Sequence, residues 1–354
     1  STYYGGNGYD AAKGVVVDGD NNICLAGTTT STNNIASGGH QNVNGGLYDA
    51  FVVKFNSDGD RIWGTFFGGA EDDEGRAICV NSINDIFITG LTKSNTNIAL
   101  DGYDNVYGAN NDVYIAKFNA EGVLDWGTYY GGTQDDNGNG IQCDEFDNVY
   151  VAIQSNSSSG FGCNVYNLTI NGENDAVFAK FSNNGNLIWA TYFGGTEDDY
   201  GKALYVKNNF VYATGYTSSI NNIAEGGIQD SINGLADAFI VKFSYDGEFN
   251  WSTYFGSTGD EYGRGILSNK ISTIYFVGKT FSATNIAYKG MQQTYGGGPA
   301  DGFILKINEC EFKTTYYTDE DGDGYGIGTD SIISCFPLPG FANNILDCND
   351  EDFN

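Results

Sequence analysis

WGTFFGG at residues 63–69 returns as WGTYYGG at 126–132, WATYFGG at 189–195 and WSTYFGS at 251–257, and the chain opens on the same element, STYYGG at 1–6. Its threonine stands at Thr2, Thr65, Thr128, Thr191 and Thr253, spacings of 63, 63, 63 and 62 residues. A fixed period of this length marks a repeat architecture, and it takes precedence over any local reading. Within one period four alternating runs rich in β-branched and aromatic residues follow one another, in the fourth copy KALYV, FVYATGYT, DAFIVKF and EFNWSTYFG. The turns NSDG, NAEG, SNNG and SYDG each end in glycine and predict hairpins into the tryptophan-bearing strand. No stretch has a helical period. The expected fold class is therefore all-β, a β-propeller of four-stranded blades, since 63 residues is long for one coil of a solenoid.

The expected boundaries are a propeller over 1–309, made of five repeats of about 63 residues, and a separate module over 310–354. The last repeat, KGMQQTYGGGPADGFILKI, stops after its third strand. Five blades closed by the N-terminal STYYGG strand is the favoured arrangement, because pairing the first and last segments covers open sheet edges. A larger ring is the alternative.

Composition restricts the function classes. The 354 residues include 51 Gly and 3 Pro, with 45 acidic against 16 basic side chains and a net charge of −29. Aromatics at 15% and hydrophobics at 40% separate the chain from a solvated acidic tail. The charge disfavours nucleic acid and anionic membranes, whose binding rests on Lys and Arg. No apolar run reaches the roughly 18 residues of a spanning helix, so membrane insertion is not expected. The opening STYYGGNGYD lacks the charged and apolar regions of a signal peptide and begins at Ser1, the expectation for a mature or trimmed fragment.

The pattern W-x-T-Y-[FY]-G-G, then D-D-x-G, then G-x-T-x-S as in GLTKS and GYTSS, then D-A-F-x-x-K-F, resembles the SBBP repeat of bacterial secreted and surface proteins over residues 1–309. The resemblance implies a propeller outside the cell with no defined activity, and it points to Bacteroidota and type IX secretion.

Polar residues also recur. Asp49, Asp112, Asp175, Asp237 and Asp301 are expected to bond loop backbone, and Lys54, Lys117, Lys180, Lys242 and Lys306 to meet a carboxylate at the blade interface. The acidic loops EDDEG, QDDNG, EDDYG and GDEYG carry Asp72, Asp73, Asp135, Asp136, Asp198, Asp199, Asp260 and Glu261, read as turn chemistry with cation binding as the lesser alternative. Thr92, Ser94, Thr217, Ser219, Thr280 and Ser282 are expected to bond neighbouring backbone. The clearest break in symmetry is AIQSNSSSGFGCNVYN in blade three, which introduces Cys163. His40, the single histidine, has no evident partner for a Ser-His-Asp or Cys-His site.

The tail 310–354 carries ten acidic residues and one Lys. In TDEDGDGYGIGTD, Asp319, Asp321 and Asp323 alternate, Gly324 follows at the sixth position, Tyr325 at the seventh and Asp330 at the twelfth, the oxygen-ligand spacing of a Ca²⁺ loop. DCNDEDFN adds Asp347, Asn349, Asp350 and Asp352. This pairing resembles the metal-binding repeat of MopE-like surface proteins and, in style, thrombospondin type 3 repeats, which implies that both halves hold calcium. Of the seven cysteines, Cys335 and Cys348 would staple the tail, whereas Cys24, Cys79 and Cys143 read as small buried strand residues.

The function expected from these readings is a non-enzymatic extracellular or cell-surface binding and scaffold module of a larger secreted bacterial protein, calcium-stabilised, in adhesion or a surface filament. Its partners would be other domains of the same or a partner surface protein, or glycan. The alternative is a carbohydrate-active enzyme with a propeller active site, either at the ring's centre or in the irregular blade-three loop.

Overall fold

The computed structural model describes residues 1–161, 166–269, 273–308, 314–318, 331–334 and 341–342. All regular structure among them is β. The first sheet contains β1 (Asp10–Val17), β2 (Ile23–Thr29), β3 (Asp49–Phe55) and β4 (Arg61–Phe67), hydrogen-bonded in that order. The second repeats it with β5 (Asp73–Val80), β6 (Ile86–Thr92), β7 (Asp112–Phe118) and β8 (Leu124–Tyr130). The third has β9 (Asp136–Cys143), β10 (Val149–Ser155), β11 (Asp175–Phe181) and β12 (Leu187–Phe193), and the fourth β13 (Asp199–Lys207), β14 (Phe210–Thr217), β15 (Asp237–Ser244) and β16 (Phe249–Phe255). Each is an antiparallel meander, and these sheets are the four-stranded blades of a β-propeller. A fifth sheet of three strands follows, β17 (Glu261–Ser268), β18 (Thr273–Thr280) and β19 (Asp301–Asn308).

The chain divides into two compact units, Ser1–Ile266 with Val277–Phe303, and Leu267–Phe276 with Ile304–Asn354. The second unit contains its own small sheet, β20 (Thr314–Thr318) between β21 (Ser331–Ser334) and β22 (Phe341–Ala342). The Ca²⁺-loop residues Asp319, Asp321, Asp323, Tyr325, Asp330, Asp347, Asn349, Asp350 and Asp352, together with Cys335, Cys348 and Cys163, lie outside the described residues.

Blades are joined by devices that the repeat writes once per copy. The indole Nε1 of Trp63 donates to Ala120 O (3.0 Å), that of Trp126 to Asn183 O (2.9 Å) and that of Trp189 to Tyr245 O (3.1 Å), each acceptor lying in the hairpin turn of the following blade. Gly122, in the turn that receives Trp63, has φ +81° and leaves no room for a side chain, since a Cβ would stand 2.6 Å from the indole. The last aromatic of each fourth strand packs on the third strand of the next blade: Phe67 on Phe118, Tyr130 on Phe181, Phe193 on Phe243. Tyr4 makes the same contact with Phe55 at 5.5 Å. Residues 1–6 thus keep the contact expected of a closing strand but form no strand. Tyr3 is fully exposed, whereas its counterparts Phe66 and Tyr129 are buried.

The recurring lysines reach the blade interface, Lys54 Nζ donating to Ala120 O (3.4 Å) and Lys180 Nζ to Tyr245 O (3.2 Å), but the carboxylates that pair with them are not the expected ones across it. Lys54 pairs with Asp18 (2.8 Å) and Lys117 with Asp85 (2.8 Å), both within one blade, because each acid sits in the turn between the first and second strands. Blade four has Lys207-Asn208-Asn209 at that turn, and Lys242 instead lies 3.6 Å over the Phe210 ring. Lys180 lies 3.9 Å over Tyr245. Cys79 and Cys143, expected as separate buried thiols, form a disulfide that links the first strands of blades two and three, Cα atoms 6.0 Å apart.

Candidate active site

The recurring acids and hydroxyls turn out to brace one another. Asp73 is fully buried at the start of β5 and accepts from Gly69 N (2.6 Å), Thr92 Oγ1 and Ser94 Oγ (2.8 Å). Asp10 repeats the set with Gly6 N, Thr29 and Ser31, and Glu261 with Ser257 N (2.7 Å) and Thr280 (2.5 Å). The Thr/Ser pairs bond neighbouring backbone as expected, Thr92, Thr217 and Thr280 Oγ1 accepting from the N–H of Ser94 (3.0 Å), Ser219 (2.9 Å) and Ser282 (2.9 Å), and they also brace a carboxylate. The second set of acids does hold loop backbone: Asp49 accepts from Gly45 N (2.7 Å) and Gly46 N (3.1 Å), Asp175 from Asn171 N and Gly172 N.

The two sets meet at each blade junction. A Cβ on Gly131 would lie 2.4 Å from Asp112 Oδ1 and 2.5 Å from Asp136 Oδ2, so glycine there lets two carboxyls face each other. Burial, with the Asp136 charge beside it, pushes Asp112 up to about 7; burial also lifts Asp136 and Asp49 to about 6. Once per junction, these acids are structural, and among the described residues no group of three potential metal ligands occurs. His40 is exposed, edge-on to Phe118, and among the described residues no acid hydrogen-bonds it. Burial lowers its pKa. In the blade-three loop, Phe161 packs between Tyr130 and Tyr192, which is core formation.

Unlike residues converge elsewhere, on the first strands of the blades. These strands run side by side, β1 against β5, β5 against β9 and β9 against β13. Each opens with a braced acid and then reads x-Gly-x, or Ala11-Ala12-Lys13 in β1, with Ala11, Glu74, Asn137, Tyr200 and Tyr262 at the first variable position and Lys13, Arg76, Asn139, Lys202 and Arg264 at the second. In β1, β5, β9 and β13 the second position is a β-bulge: Arg76 is skipped between the pairs Gly75↔Gly90 and Ala77↔Thr89, Lys202 between Gly201↔Gly215 and Ala203↔Thr214, and Lys13 and Asn139 likewise. A bulge leaves the extra residue out of the ladder and re-aims its side chain, a device common beside active sites.

The re-aimed groups form a network. Arg76 Nη1 donates to Asn137 Oδ1 (3.3 Å) and Asn139 Oδ1 (3.2 Å), Asn139 Nδ2 to Gly201 O (2.9 Å), and Lys202 Nζ to Gln154 Oε1 (3.4 Å). Tyr200 stacks on Tyr216 at 4.5 Å and Tyr262 meets Tyr216 edge-on at 4.6 Å. Lys202 lies 5.4 Å and 5.6 Å from the Tyr200 and Tyr216 ring centres, and Arg264 6.0 Å from that of Tyr262. Tyr200 and Tyr262 hydroxyls donate to Asp198 and Asp260 (3.2 and 3.4 Å). Burial, with Arg264 and Arg76 nearby, draws the Lys202 ammonium down to about 8. An amine at that value holds both protonation states near neutral pH, as proton-transfer groups require.

No protein-family model matches the chain. It is 24% identical over 324 residues to the regulatory protein FlaEY of Caulobacter vibrioides, covering 82% of this chain and 32% of that protein; the chain thus spans about a third of that relative's length. Among solved structures it is similar to a gluconolactonase from Xanthomonas campestris (12% identity, TM-score 0.38, 84% of this chain and 72% of that one). It is also similar to a polysaccharide lyase (12% identity, TM-score 0.39, 85% and 58%). Likeness at this level is likeness of fold. The expectation of a non-enzymatic scaffold is corrected on the chain's own residues: its blades differ from one another along their first strands, where unlike polar, cationic and aromatic side chains are joined. Among the described residues no helix is long and apolar enough to cross a membrane.

Proposed function

We propose that the chain is a carbohydrate-active enzyme whose active site is built on the propeller's first strands. One observation carries this reading: within a near-exact repeat, Glu74, Arg76, Asn139, Tyr200, Lys202 and Tyr262 occupy equivalent positions with unlike side chains and are joined by hydrogen bonds and ring contacts. Tyrosine faces suit a sugar ring, amide and guanidinium groups its hydroxyls, and a lysine titrating near neutrality the movement of a proton. The test is release of new chain ends from a polysaccharide panel by the purified protein. Activity lost on Tyr262→Ala and Lys202→Met supports the reading; activity unchanged in both variants, or none on any glycan, refutes it.

The setting we propose is a propeller of SBBP type in a secreted or cell-surface bacterial protein, joined to further domains and exported by the type IX route, with Ca²⁺ held by the tail through Asp319, Asp321, Asp323, Tyr325 and Asp330 and by Asp347, Asn349, Asp350 and Asp352. The disulfide Cys79–Cys143 suits an oxidising compartment, and the loop spacing suits an oxygen-ligand cation.

A further inference from the structure

The chain carries 16 basic residues against 45 acidic ones, yet four of five first strands carry a Lys or Arg at the same repeat position, re-aimed by a bulge at Lys13, Arg76 and Lys202, and Asn139 fills the fifth. Charges of one sign brought together in a strongly acidic protein need an explanation. Arg76 has a partial one, its half-buried ion pair with Glu74 at 3.1 Å. Among the described residues Lys202 and Arg264 have no ion pair, and the nearby Asp198 and Asp260 are engaged by tyrosine hydroxyls. Lys202 is held by one neutral acceptor, Gln154, which leaves ammonium donors free to meet a ligand.

We infer that this cluster receives an acid group of the substrate: resting on the carbohydrate reading above, the glycan is an anionic one, its carboxylate or sulfate ester set against Lys202 and Arg264 while the sugar face lies on the tyrosines. An anion between the two cations replaces their repulsion with two charge-assisted hydrogen bonds. The depressed ammonium of Lys202 fits a site that gains its counter-charge only when loaded. Repulsion from the rest of the chain does not prevent this, since surface carboxylates beyond about 8 Å are screened at physiological salt. A nucleic acid fits less well, because it demands a track of phosphate contacts and the cations here gather at one point.

Calorimetric titration of the full chain tests the inference with oligogalacturonate, sulfated carrageenan oligosaccharide, methyl-esterified oligogalacturonate and a neutral malto-oligosaccharide. At least one anionic probe should bind roughly tenfold or more tighter than the neutral ones, the uronate and sulfate arms showing which acid group is taken. Lys202→Met should bring the anionic probe's affinity down roughly tenfold towards that of the neutral ones; Arg264→Met, at an exposed position, should weaken the preference without touching the fold. Equal binding of charged and neutral probes, or an anion preference that survives both substitutions, overturns the inference. Selective anion binding with no glycan cleaved would sink the enzyme reading and leave this one standing. Cleavage of neutral glycans without anion preference would do the reverse.

Discussion

Replacing Asp112 with Asn should flatten the pH dependence of stability. Asp112 is 1% exposed, accepts from Gly108 N at 2.9 Å and faces Asp136 across Gly131. Burial first, then the charge of Asp136, lifts its pKa from 3.8 to about 7. The folded chain therefore keeps a proton that the unfolded chain releases near pH 4, so this group's contribution is whole below the unfolded value and is lost progressively as pH rises from about 4 through the folded value of about 7. At about 1.4 kcal/mol per pKa unit, the wild type should lose roughly 2–3 kcal/mol through Asp112 between pH 5 and pH 8. Asparagine retains the carbonyl that accepts from Gly108 but cannot titrate. Urea unfolding followed by tryptophan fluorescence at the two pH values gives each protein's loss, and the loss should be smaller in D112N by about that amount. Other paired acids still titrate in both proteins, so the difference between the losses is the quantity that decides. Equal losses would show that Asp112 is already ionised at pH 5, and the argument from desolvation would fail.

Lys54→Met should cost about 3–5 kcal/mol, because Asp18, which burial pushes up and the Lys54 ammonium holds down at about 2, would be left unpaired inside blade one. Adding Asp18→Asn should recover part of the loss in thermal melts, and an unchanged melting temperature in K54M would contradict the buried-pair reading. Gly122→Ala, at φ +81° and against the Trp63 indole, should destabilise on the order of 2 kcal/mol by urea titration; a neutral effect would mean the turn relaxes freely. Asp321→Ala and Asp323→Ala should remove the heat of calcium binding at millimolar concentration, and heats equal to wild type would eliminate the proposed tail site.

Much of the fold was legible in the chain because the repeat restates it. The turn glycines at 59, 122, 185 and 247 all adopt the left-handed backbone that their motif requires. The braced acids are visible as recurring aspartates and the Thr and Ser bonds to backbone are local, but the bonds from those hydroxyls to the acids, some 19–21 residues away, arise only when β5 pairs with β6 and its equivalents. Cys79 and Cys143 read as unrelated since 64 residues separate them. The candidate site was missed for a related reason. Glu74, Asn137, Tyr200 and Tyr262 are the variable letter of the loop motif DDEG, DDNG, DDYG and DEYG, and variation inside a repeat reads as noise.

The sequence by itself determined the period, the strands, the hairpin turns and the acid at the head of each blade, because each follows from residues near one another in the chain. Tertiary structure decided which cations gather and which aromatics join them. Arg76, Asn139, Lys202 and Arg264 stand about one repeat apart, and only first strands packed side by side bring such positions into one place. A repeat states its geometry many times over; its chemistry lies in the differences between copies, and those acquire meaning when the copies meet.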